Sequence, residues 1–272
     1  MTPASRAEIP AAGRIVVKVG SSSISGENAE QIGPLVDALA AAHAGGAEIV
    51  LVSSGAIATA LPLLSLDGRP TDLATQQAAA AVGQNVLMWR YQTSLDRYGV
   101  LAGQVLLTAG DLEHATPRSN AQRAMDRLLA LRILPIVNEN DTVATHEIRF
   151  GDNDRLAALV AELIGADLLV LLSDVDALYT KPPHLDGARR IAHVAHGDEL
   201  AGVEIGSVGR AGVGTGGAET KVSAARIAAD AGTSVLITAT TLVAEALAGH
   251  DVGTWFDAAP ARHTTERETP LA

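Results

Sequence analysis

The sequence contains no cysteine, seven aromatic residues and, among its 20 basic side chains, only three lysines. With no thiol there is no disulfide scaffold, zinc–thiolate site or cysteine nucleophile, and the composition is compatible with a reducing cytoplasm. So few aromatics leave little surface for base stacking. Acidic residues number 31, for a formal charge of −11, and the bases form no cluster, which argues against nucleic acid as the main partner. Long apolar runs are missing too: Leu168 to Leu172 is of strand length, far short of the roughly 20 residues that span a membrane. Met1 to Gly13 has no apolar core of the signal-peptide type and reads as a flexible tail. A soluble, cytoplasmic protein is expected.

What is present supports a substantial core: 272 residues, 47% hydrophobic and 19% charged, neither disordered nor fibrous. β-Branched runs predict strands at Arg14–Gly20, Glu48–Ser53, Leu101–Leu107, Ile133–Asn138, Asp167–Leu172 and Ser234–Thr238. Ala/Leu-rich stretches between them predict helices at Ala29–His43, Leu73–Tyr98, Ala121–Leu131, Asn153–Ile164, Thr220–Ala231 and Leu242–Ala248. Strands apolar on both faces, separated by helices, indicate a parallel sheet sandwiched between helical layers. No repeat or linker divides the chain, and from Asp257 onward the periodicity fades into a C-terminal tail.

In parallel sheets, ligands bind beyond the carboxyl ends of the strands, and the unusual residues gather there. Lys18 lies inside an otherwise apolar strand, near its end, with Gly20 and three serines following; a buried ammonium needs a partner, and this cluster suits a ligand better than a plain turn. Gly206 to Gly217 holds six glycines and runs into Ala218-Glu219-Thr220-Lys221 at a helix start, an arrangement whose backbone N–H groups can take phosphate. Although Gly212 to Gly217 spells G-x-G-x-x-G, no acid near the next strand's end would hold a ribose, and the P-loop pattern is absent.

Asn138-Glu139-Asn140-Asp141 and Gly151-Asp152-Asn153-Asp154 are dense in carboxylates and amides. They suit an α-amino group, Mg²⁺–phosphate or the orientation of lysines, while Asn153 or Asp154 could equally cap a helix. Ser53-Ser54-Gly55 before an Ala-rich helix is an anion cradle or an N-cap. Ser173-Asp174 is a weaker strand-end signal, Lys181 a loop residue within reach of a nucleotide, and His146 belongs to no metal-ligand spacing.

Lys18-Val-Gly-Ser-Ser, Val52-Ser-Ser-Gly-Ala-Ile-Ala, Ala80-Ala-Val-Gly-Gln, Asn138-Glu-Asn-Asp-Thr-Val-Ala, Gly151-Asp-Asn-Asp-Arg-Leu and Gly214-Thr-Gly-Gly-Ala-Glu-Thr-Lys occur in this order. The set closely resembles the glutamate 5-kinases of the amino acid kinase superfamily, over Arg14 to Phe256. The resemblance implies one domain at 14–256 with a three-layer α/β/α fold. It also implies ATP-dependent phosphorylation of the γ-carboxylate of L-glutamate, the first step of proline biosynthesis, with feedback inhibition by proline. Carried over by position, Lys18 and Lys221 neutralise the transferring phosphoryl group and Asp154 orients them. Ser54, Asp141 and Asn153 hold glutamate. Lys18, Ser173, Asp174, Thr215, Gly216, Gly217, Ala218, Glu219, Thr220 and Lys221 bind ATP, with Mg²⁺ carried mainly by the phosphates and no metal site of the protein's own. A homodimer or homotetramer, and contact with a glutamyl phosphate reductase, are implied partnerships.

Three departures accompany it. Many members append a C-terminal PUA domain, and this chain stops where that domain would begin, so it is expected to lack one. Methionine is common where Ala218 stands, and Glu113 to Ser119 departs from the usual pattern, which bears on oligomer contacts. Acetylglutamate kinase, aspartokinase, carbamate kinase and uridylate kinase are the rivals within the superfamily, and a non-catalytic amino-acid sensor is the rival outside it.

Overall fold

A computed structural model describes residues 1–143, 153–201 and 217–260. In chain order its elements are β1 (Arg14–Lys18), α1 (Ile32–Ala44), β2 (Glu48–Val52), α2 (Ala56–Ala60), α3 (Leu73–Leu95), β3 (Ala102–Leu107), α4 (Ala109–Glu113), α5 (Ala115–Ala130), β4 (Leu134–Glu139), α6 (Asn153–Ile164), β5 (Leu168–Ser173), β6 (Leu178–Tyr179), β7 (Arg190–Ile191), β8 (His193–Val194), α7 (Ala218–Asp230), β9 (Ser234–Ala239), α8 (Val243–Leu247) and β10 (Thr254–Phe256). Eight strands form one sheet in the order β3-β4-β2-β1-β5-β9-β10-β8, while β6 and β7 form a separate ribbon. All neighbours in the large sheet run parallel except β9 and β10.

Period-2 alternation splits each central strand between two cores. Ile15 and Val17 turn to one face, with residues of α1, α3 and α8. Val16 turns to the other, with residues of α5, α6 and α7. Both faces are thus covered, giving the α/β/α sandwich with a mainly parallel sheet that the sequence predicts. Among the described residues, no helix is long and apolar enough to cross a membrane.

Several details differ from the sequence reading. Helix α5 begins at Ala115, earlier than its apolar pattern suggests, and follows the short α4, which a capping box of Thr108 and Asp111 starts. Pro117 falls in the first turn of α5, where a missing N–H costs no helical bond. Strands β6, β7, β8 and β10 are only two or three residues long, too short to show alternation in sequence.

The first thirteen residues are not a loose tail. Ile9 is fully buried in the α1/α8 core, the Met1 ammonium pairs with Asp167 at 2.9 Å, and Arg6 donates to the carbonyls of Val252, Gly253 and Ala192. One apolar side chain and one guanidinium anchor a stretch whose composition alone looks mobile. The start of the C-terminal segment is likewise docked: Asp257 accepts from Trp255 Nε1 at 3.1 Å and pairs with His193 at 2.8 Å.

Candidate active site

The carboxyl ends of the four central strands lie level, and this alignment builds the site. Lys18 ending β1 pairs in register with Val52 of β2 and Leu171 of β5, and Val52 pairs with Val137 of β4. The next residues along each strand are therefore neighbours: Ser53-Ser54 after β2, Asn138-Glu139 at the end of β4, Ser173 at the end of β5. Lys18 is two residues beyond Val16 and so faces the α6/α7 side.

There it meets Asp154 in the first turn of α6, Nζ to Oδ1 at 2.6 Å. Lys221 comes from α7 and reaches the other oxygen of the same carboxylate at 3.3 Å. Thr220 Oγ1 donates to that second oxygen as well, at 2.8 Å. All three ionic residues are at most 7% exposed, so they are charges held in a dry site. Burial pushes the Asp154 carboxyl up, but the two ammonium groups and Thr220 outweigh it and bring it down to about 2. Two ammonium groups sharing one carboxylate make a net positive trio, ready for an anion. Gly217 precedes α7 with no side-chain cap, so no side chain of the cap occupies the first N–H groups of the helix that carries Thr220 and Lys221.

Beside this trio runs a chain of buried amides. The Nδ2 of Asn153 donates to Ser54 Oγ at 3.0 Å and to Asn138 Oδ1 at 3.2 Å. Asn138 Nδ2 in turn donates to Gln84 Oε1, on α3, at 2.8 Å. The Oδ1 of Asn153 is buried and has no hydrogen-bond partner, an acceptor waiting for a donor. Neither Ser54 nor Ser53 caps α2: that position belongs to Gly55 at φ +88°, where a Cβ would press on the backbone of Ser21 at 3.3 Å. Ser53 instead bonds Tyr91 at 2.9 Å.

Gln84 also lines a cavity of about 320 Å³ together with Gln104, Glu139, Asn140, Asp141 and Thr142. Burial and the neighbouring Glu139 push the Asp141 carboxyl up to about 7, against the opposing pull of Arg69. The geometry thus joins Lys18, Asp154 and Lys221 directly, joins Asn153 to Ser54, and places Asp141 in a cavity linked to them by the amide chain. Ser173 and Asp174 close β5, the Ser173 hydroxyl donating to Asp174 at 3.2 Å and its carbonyl accepting from Thr240 at 3.2 Å. Lys181 lies between β6 and β7 near Gly187. Thr215, Gly216, Gly151, Asp152 and His146 lie outside the described residues, as does Gly206 to Gly216 of the glycine segment. Among the described residues no group of three His, Asp or Glu is placed to hold a metal. Tyr91 carries no signal of its own in the sequence, because a phenol in a helix looks like any other helical residue, and Gln84 enters there only as the last residue of Ala80-Ala-Val-Gly-Gln, with no role attached.

The Amino acid kinase family matches residues 13–239. The chain belongs to the amino acid kinase family. Among its relatives within that family, the glutamate 5-kinase of Clavibacter sepedonicus is 77% identical over 256 residues, covering 94% of this chain and 98% of that one. The glutamate 5-kinase of Leifsonia xyli subsp. xyli is 73% identical over the whole of both chains. That of Streptomyces coelicolor is 58% identical over 93% of this chain but 69% of its own length. This family member is therefore a kinase, a phosphotransferase. Its backbone also matches a carbamate kinase from Giardia lamblia bound to AMP-PNP, with a TM-score of 0.67 over 92% of this chain and 100% of that one. At 14% identity that likeness speaks for the amino acid kinase fold alone.

Proposed function

We propose that this kinase transfers the terminal phosphoryl group of ATP to the γ-carboxylate of L-glutamate, giving L-glutamyl 5-phosphate and ADP. The observation that carries the reading is the buried Asp154 carboxylate bridging Lys18 and Lys221. A carboxylate acceptor is already a nucleophile, so the reaction needs no general base; it needs reactants in line and charge stabilised on the moving phosphoryl group. Two cations fixed on a common carboxylate supply that charge without reorganising.

Ser54, Asn153 and Asp141 hold glutamate in this reading. The free Oδ1 of Asn153 suits an ammonium hydrogen, and Asp141, when ionised, supplies its counter-charge. Lys18, Ser173, Asp174, Thr215, Gly216, Gly217, Ala218, Glu219, Thr220 and Lys221 hold the nucleotide, through backbone N–H groups at the start of α7 and the two ammonium groups. Mg²⁺ fits here as a companion of the phosphates, because both oxygens of the central carboxylate are taken by cationic and hydroxyl donors. When bound, it offsets phosphate charge. The names of the relatives support glutamate as acceptor. We further propose, from the resemblance in sequence motifs alone, a place at the first step of proline biosynthesis in the cytoplasm, with proline as inhibitor, a homo-oligomeric assembly, and a reductase receiving the labile product.

The test mixes protein, ATP, Mg²⁺ and hydroxylamine with glutamate, aspartate or N-acetylglutamate, and measures hydroxamate. Product is expected with glutamate. Folded protein that yields none with glutamate overturns the reading.

A further inference from the structure

We propose that Gln84 is a positioning residue for the acceptor: acting through Asn138, it holds Asn153 so that Oδ1 faces the substrate. The inference rests on the function proposed above. Its root is a backbone group that can only donate. The N–H of Glu139 donates to Asn138 Oδ1 at 2.9 Å, which fixes which end of that amide is oxygen. Asn138 Nδ2 must then face Gln84, whose Oε1 receives it at 2.8 Å. With Asn138 Oδ1 so placed, Asn153 turns Nδ2 toward it and toward Ser54 Oγ. The one polar atom left over at the end of this chain is Asn153 Oδ1, buried and without a hydrogen-bond partner. Gln84, Asn138 and Asn153 are at most 7% exposed, so water does not compete for these bonds.

Without the acceptor at Gln84, the Asn138 amide loses the bond that holds its nitrogen end, and only the Glu139 N–H keeps its oxygen in place. If Asn138 turns over, Asn153 must turn over with it and present Nδ2, a donor, to an ammonium group. The expected consequence is weaker glutamate binding with nucleotide binding untouched. Gln84 acts on the acceptor through Asn138 and Asn153. Its part is to set the direction of the chain.

Two variants test this in the hydroxamate assay with glutamate and ATP each varied. Gln84→Met keeps length and apolar packing but removes the acceptor. It is expected to raise KM for glutamate about tenfold, with KM for ATP within about twofold. Gln84→Glu keeps an acceptor oxygen and is expected to hold KM for glutamate within about threefold of wild type. An unchanged glutamate KM in Gln84→Met overturns the proposal, as does equal impairment of both variants. If Gln84→Met does not fold, Gln84→Glu decides alone, and a tenfold rise in its glutamate KM counts against the relay. Failure of the functional reading shows separately, as wild-type protein without glutamate-dependent product, and it removes the basis of the relay.

Discussion

Two carboxylates in one site are driven to opposite ends of their range. For Asp154, burial works against ionisation but Lys18 and Lys221 prevail, so the group titrates at about 2. Its folded value lies below the unfolded one, so its stabilisation is present above about pH 4 and is lost as pH falls through about 2. Replacing Lys221 by alanine leaves Lys18 on the carboxylate, so the fold should persist, while turnover drops ~10²–10³-fold with one preorganised charge gone. Single-turnover rates beside a thermal melt check both halves; near-normal turnover refutes the role. Asp141 goes the other way, up to about 7 through burial and Glu139. Its raised value means that its contribution to stability declines as pH rises through about 7, when a charge must sit in the cavity. Binding an ammonium group needs that charge. KM for glutamate should therefore fall between about pH 6 and about pH 8, and Asp141→Asn should flatten the profile while raising melting temperature at the upper end. A wild-type KM that does not move with pH would sink the assignment. At this scale the lysines were legible because scarcity singled them out, and Asp154 was legible with them as a partner or a cap. Gln84 was not. Its meaning lies in a bond to Asn138, 54 residues away, that no local pattern encodes.

Among elements, the long strands were readable, the β3 edge included, and the two- and three-residue strands at the β8 side of the sheet were not. Long strands buried on both faces announce themselves as continuous apolar runs, and their carboxyl ends locate the site without further help. Short edge strands give no periodicity, and the crossing of α2 over α3 is invisible until the backbone is built. That crossing matters because α2 begins two residues after Ser54. It depends on Gly83: an added Cβ there would lie 1.7 Å from the carbonyl oxygen of Ala56 and 3.2 Å from the amide of Ala60. Backbone on both sides leaves no side chain to give way. Gly83→Ala should therefore cost about 1–3 kcal/mol of stability, typical of overpacking, and raise KM for glutamate as α2 carries Ser54 out of place. Gly33→Ala on α1 is the control, since nothing lies within 4 Å of its added methyl. Losing a helical glycine there should be neutral or stabilising by about 0.5–1 kcal/mol. Urea titrations and steady-state kinetics on the two variants separate crowding from propensity; equal behaviour would mean that the crossing has room to relax.

For the whole molecule, the two faces of the sheet carry different duties. The face of Val16 leads to Lys18, α6 and α7, and hence to the charged trio. The opposite face holds α1, α3 and α8 and receives the N-terminal segment through Ile9. That segment ties distant parts together: Met1 meets Asp167 before β5, Pro3 accepts from Ser234 at the start of β9 at 2.8 Å, and Arg6 binds carbonyls flanking β8 and β10. It also sits against Gly249, where an added Cβ would come within 2.9 Å of the Arg6 carbonyl. If the segment serves the fold and not the chemistry, stability and catalysis should come apart when it is weakened. Ile9→Ala removes a fully buried side chain and should cost about 2–5 kcal/mol of unfolding free energy. Well below its transition temperature, the variant should keep the wild-type kcat and both KM values, because the rigid central strands separate the cavity it creates from Lys18 and Asp154. Denaturant unfolding gives the first quantity and the hydroxamate assay the second. A fall in kcat that tracks the loss of stability would show that the two faces are coupled, and that the amino-terminal segment helps to hold the phosphoryl clamp in register.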